Sequence, residues 1–187
     1  MVRRTHGSTL LVLVTLVLGA HSSGRSQMHY ENSLSFSAGA YAASGFNTNV
    51  YYGARYDYFF LGGRYFVEAA LGFSSLKSNV LESFSKLKVF ESDQLFSYEF
   101  VLSYDATPSG YIPFVVFGVA GVNQGGQSNF AGVIGLGKRV PMPGFLGTNQ
   151  IGIRYDVRDQ IFSQKINDSD PFISHNIVFT LGLQLYF

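Results

Sequence analysis

Seven ionisable residues sit inside otherwise apolar, alternating stretches: Arg55 and Asp57, Glu68, Glu99, and the run Arg154, Asp156, Arg158. Alternate residues of a β-strand share a face, so each set points to one side of its strand. Three guanidiniums and four carboxylates gathered on one side of a sheet can do two things. They can pair, because a planar guanidinium presents its donors as a fork that fits a carboxylate. They can also line a narrow conduit and set its selectivity. The near balance of signs favours pairing, in a polar lumen network that holds strands in register.

Nucleophilic chemistry has thinner support. Ser174 and His175 adjoin a stretch with Asp168 and Asp170, from which a Ser/His/acid set could be drawn. No Gly-x-Ser-x-Gly elbow accompanies them, and His175 falls on the apolar side of its alternation. Outside the N-terminal run the other imidazole is His29, which stands alone. Gly125-Gly126 opens no helix and so makes no phosphate loop. No metal-ligand spacing occurs. Cysteine is absent, which removes disulfides, thiolate catalysis and thiolate-bound zinc. No catalytic residue, cofactor or metal is expected.

The elements that must position these charges read as strands. Alternation runs through 32–44, 48–60, 64–74, 94–105, 111–122, 130–140, 148–158 and 176–187, eight in all. In 148–158 Ile151, Ile153, Tyr155 and Val157 oppose Arg154, Asp156 and Arg158, and Arg55 and Asp57 likewise oppose Tyr52, Tyr56 and Tyr58. Segment 111–122 is apolar on both faces, so its phase is ambiguous; outward Val115, Phe117 and Val119 are preferred. Leu61-Gly62-Gly63 is a tight turn. Ser75–Ser92, Asn123–Asn129 and Asp159–Pro171 read as polar loops, with compact Gly/Pro turns at the other end.

Composition says what lies outside this sheet. The chain is 47% hydrophobic and 16% aromatic but only 13% charged, against about 25% charged in a typical soluble domain. Net charge is +1, so no basic field points to nucleic acid. Arg3 and Arg4, the apolar run Leu10–Leu18 and the small residues after it read as a secretory signal peptide over about residues 1–22. The apolar run is too short to span a bilayer as a helix. A short segment, 23–31, would precede a barrel domain over 32–187. In lipid only helices and closed barrels satisfy their backbone, and 176–187 has the length of a tilted membrane strand.

That last stretch alternates Ile177, Phe179, Leu181, Leu183, Leu185 and Phe187 with smaller or polar residues. Its positions Thr180-x-Gly182-x-x-Leu185-x-Phe187 resemble the C-terminal assembly signal of bacterial outer-membrane β-barrels. The whole pattern is similar to the small OmpA/OmpX-like eight-stranded barrels. The resemblance implies an all-β fold, an eight-stranded antiparallel up-and-down transmembrane β-barrel in the bacterial outer membrane. It implies contact with outer-membrane lipid, recognition of the last strand by the barrel assembly machinery, and a monomer whose loops face an external partner that the residues do not identify. It assigns no enzymatic activity. A structural or surface-interaction role is expected, with a narrow solute channel, as in OmpW-like proteins, and a lipid-modifying enzyme as the alternatives. A soluble lipocalin-like barrel would put the apolar residues inside and Arg154, Asp156 and Arg158 outside.

Overall fold

The structure, a computed structural model, describes residues 30–43, 48–76, 93–107, 112–124, 127–164 and 172–187. The leader expected over 1–22, most of segment 23–31 and His29 lie outside the described residues.

Eight strands close into one antiparallel up-and-down barrel in chain order: β1 (Asn32–Ala42), β2 (Asn49–Phe60), β3 (Tyr65–Leu76), β4 (Asp93–Tyr104), β5 (Phe114–Gln124), β6 (Gln127–Pro141), β7 (Ile151–Gln164) and β8 (Phe172–Tyr186). The fold class expected from the alternation is the one observed. β8 pairs with β1 from Ser33↔Tyr186 to Ala42↔Ile177, and this seam removes both free edges of the sheet. Backbone bonds clip its end, Asn32 N–H to Phe187 O at 3.1 Å and Phe187 N–H to Asn32 O at 3.0 Å.

The polarity is inverted relative to a soluble barrel. Phe36, Tyr52, Phe100, Phe117, Leu136 and Leu183 are exposed, while Asp57, Glu68, Arg154, Asp156 and Arg158 are buried. That arrangement overturns the lipocalin-like alternative. β5 takes the preferred phase, with Val115, Phe117 and Val119 outward and Phe114, Val116 and Val122 inward. Outward aromatics form cross-strand neighbours near both ends: Tyr52, Phe73 and Phe96 toward the loops, and Phe60, Tyr65 and Tyr104 toward the turns. Val50 and Phe60 stand ten steps apart on β2, about 25 Å of height at ~3.3 Å per residue and a tilt of roughly 40°. An apolar band about 25 Å tall, rimmed by aromatics, is what a membrane barrel presents to lipid.

Large interior rings need glycine beside them in so narrow a barrel. Tyr51 lies over Gly72 and Phe114 over Gly137, each filling the space a Cβ would take, and Tyr186 packs 3.0 Å from that position at Gly152. Outside, Tyr98 covers Gly121 in the same way.

At the turn end β5 and β7 begin at Phe114 and Ile151, three residues later than expected, and the larger differences lie at the loop end. β5 and β6 run on until only 125–126 separate them, with Gln124 paired to Gln127, where a loop over 123–129 was expected. β7 and β8 extend to Gln164↔Phe172, converting much of the expected 159–171 loop into ladder and starting β8 before Asn176. β3 continues through Ser75 and Leu76 to pair with Gln94 and Asp93. The cause is common. Apolar alternation marks only the apolar outer band, whereas pairing continues above it, where outward positions such as Asn123, Ser128 and Ser163 can be polar. The expected contrast of short turns and long loops is therefore weaker than the composition suggests. The loops 44–47 and 77–92 and the Asp168–Asp170 stretch lie outside the described residues.

Candidate functional site

The interior charges meet near mid-height. β7 supplies Arg154, Asp156 and Arg158 on successive inward positions; β2 supplies Arg55 and Asp57, β3 Glu68 and β4 Glu99. Arg154 grips Asp57 with Nη1, at 3.0 Å to Oδ1 and 2.9 Å to Oδ2. Its Nη2 donates to Glu68 Oε2 at 2.5 Å and its Nε to Asp156 Oδ2 at 3.1 Å. Arg158 contacts Glu68 Oε1 at 2.7 Å and Asp156 Oδ1 at 3.2 Å, and its Nη1 also donates to Glu99. Arg55 forks onto Asp156, at 2.7 and 3.2 Å, and donates to the Thr180 hydroxyl at 2.9 Å. All seven residues singled out in the sequence are thus brought into one connected cluster.

Neutral side chains complete it. Gln184 Nε2 donates to Asp57 Oδ2 at 2.8 Å and to Ser33 Oγ at 2.7 Å, while Ser33 donates to Asp57 at 2.8 Å. Gln160 donates to Glu99 Oε1 at 2.6 Å, and Thr180 to Asp156 Oδ1 at 3.0 Å. Each carboxylate receives at least two donors, which is the condition for keeping a charge out of water.

A second layer lies toward the turns. Arg139 of β6 pairs with Asp105 at 2.7 Å, with its guanidinium 4.7 Å from the Phe59 ring centre and 4.6 Å from that of Phe66. Phe114 stands edge-on to Phe66 at 5.2 Å and lies 5.0 Å from the guanidinium of Arg154. A guanidinium among aromatic faces is electrostatically favourable. Toward the loops a third layer is mostly neutral: Tyr51 bonded to Ser97 at 3.1 Å, and Asn176 donating to Tyr41 at 2.6 Å. Sequence reasoning did not select Arg139, Asp105, Gln160 or Gln184. Parity carried the signal, since Arg139 shares the side of Gly135 and Gly137, and Gln184 that of Thr180.

The C-terminal signature divides between two faces. Thr180 is fully buried in the network, and Gly182 lies against β1, where a Cβ would come within 2.7 Å of Ser37 Cβ. Leu185 and Phe187 point outward and are exposed. The sequence-suggested pairing of Ser174 with His175 does not form. Ser174 is buried inside and bonded to Asn176 at 3.2 Å, whereas His175 is outward, its Nδ1 2.7 Å from Asp159 Oδ2. Adjacent strand residues face opposite ways, so they cannot act on one substrate.

Fold and interior together define the class: a small eight-stranded β-barrel of the outer-membrane type, apolar without and ionic within. No family model and no curated protein matches the chain. Among solved structures, Neisserial surface protein A is similar with a TM-score of 0.51 at 14% identity, over 84% of this chain and 97% of that one. The N-terminal β-barrel domain of Pseudomonas aeruginosa OprF aligns over 85% and 100% of the two chains, at 18% identity and a TM-score of 0.46.

Proposed function

We propose that this chain is an integral protein of the bacterial outer membrane, exported through a cleaved leader, whose lumen is closed by ion pairs. Its role is structural or one of surface interaction, without catalysis. One observation carries the reading: the inversion of polarity, with Arg154 and Arg158 buried and Phe117 and Phe36 exposed. In water that surface would aggregate; in lipid it is the required one, since Arg or Lys there costs roughly 2–4 kcal/mol near the midplane. The likeness in fold to a protein named for its place at the surface fits the same location.

Size and contents support a closed lumen. An eight-stranded barrel is about wide enough for its own side chains to fill, and three layers of paired or aromatic groups occupy this one. The outward exposure of Leu185 and Phe187 supports their reading by the assembly machinery. Fractionation should find a heat-modifiable band in the outer membrane, and planar bilayers with purified protein should record no current steps above background. Soluble periplasmic protein would overturn the location, and recurrent steps would overturn the closed lumen. The mid-height cluster has one more carboxylate than guanidiniums, so a conducting barrel would favour cations.

A further inference from the structure

Seven of the eight ladders join strands that are consecutive in the chain. The β1–β8 seam joins the two ends of the barrel chain, and its closure bears the entropy of the longest loop. Many of the interior bonds cross this seam by the short way round the barrel, while those of β7 to Glu68 and Glu99 brace it across the lumen. Arg55 of β2 reaches Asp156 of β7 and Thr180 of β8. Arg154 and Arg158 of β7 reach Asp57 of β2, Glu68 of β3 and Glu99 of β4. Gln184 of β8 reaches Ser33 of β1 and Asp57 of β2. The opposite wall takes no part at mid-height: β5 and β6 present Val116, Gly118, Ala120, Ala131, Val133 and Gly135 to the interior.

At mid-height, charges placed only to fill a lumen would have no reason to avoid one wall; Arg139, the interior charge of β6, lies a layer nearer the turns. We infer that the network is a latch, in which Thr180 and Gln184 hold the last strand to the first hairpin from inside and govern lateral opening between β1 and β8. The polar position of the C-terminal signature then has a second task, after assembly, as part of this latch. The latch holds whether or not the lumen conducts, so bilayer currents leave it standing.

The test uses purified full-length barrel refolded in detergent micelles, reading the half-life of the heat-resistant band in SDS at a fixed temperature. Gln184→Leu and Thr180→Val should shorten that half-life on the order of tenfold, each removing buried hydrogen bonds. Thr180→Ser, which keeps the hydroxyl, should match the parent. Ser97→Ala, whose bond to Tyr51 joins β2 to β4 and survives an opening at the seam, should change the half-life by no more than about twofold. A disulfide across the seam, Ala40→Cys with Phe179→Cys, should restore Gln184→Leu under non-reducing conditions. One across β3 and β4, Ala69→Cys with Phe100→Cys, should not. Equal rescue by both staples, rescue by neither, or a parent-like half-life for Gln184→Leu would overturn the latch. Should Gln184→Leu fail to refold, Thr180→Val takes its place in both stapled backgrounds, with Thr180→Ser as its control.

Discussion

Glu68 receives donors from both Arg154 and Arg158, and Arg55 Nε lies 3.6 Å from its Oε1. Removing one member of a buried ionic group strands the charges of the others, at roughly 3–5 kcal/mol. Glu68→Gln should therefore lower stability by about that amount in urea titrations of the refolded barrel. An unchanged midpoint would mean that water reaches the cluster and screens it. Backbone spacing is equally sharp at Gly39, where a Cβ would come within 2.8 Å of Thr180 Cα on the neighbouring strand. Gly53 has looser neighbours, the Ser37 hydroxyl at 3.0 Å and the Tyr51 ring at 3.4 Å. Gly39→Ala should cut the yield of closed barrel several-fold, while Gly53→Ala should cost no more than about 1 kcal/mol. Comparing the heat-modifiable fraction of the two separates a seam requirement from a general one for glycine.

At the scale of elements, β5 is the strand whose residues left its phase open, because both faces are apolar. Its neighbours decide it: Phe114 meets the Phe66 ring inside, and Phe117 faces out beside Leu102 and Ile134. Phe117→Arg should cost about 2–4 kcal/mol in lipid and block insertion, whereas Val116→Thr should be tolerated. Folding yield in vesicles measures both, and the reverse order would place the opposite face toward lipid. The strands that alternate cleanly, β2, β4, β7 and β8, were legible along their lipid-facing lengths. The upper ends of β7 and β8 were not. Asp159, Gln160 and Ser163 read as loop by composition, yet they continue β7, because above the lipid a strand needs only its partner's backbone.

For the whole molecule, closure is the decisive event. Phe187 makes two backbone bonds to Asn32 and turns its ring outward. Phe187→Ala keeps those bonds, so it should lower the assembled level in cells while leaving the refolded barrel within about 1 kcal/mol of the parent. Normal outer-membrane levels would show that the ring is not read during assembly. By itself the sequence determined the number of strands, which face of most of them is apolar, and that Arg55, Asp57, Glu68, Glu99, Arg154, Asp156 and Arg158 share the other face. Those follow from a period of two, a local property of the chain. Only the tertiary structure decided which charge meets which, and that Arg139 sits among Phe59, Phe66 and Phe114. Those contacts join residues on different strands, and closing the sheet fixes the registers that bring them together across a narrow interior.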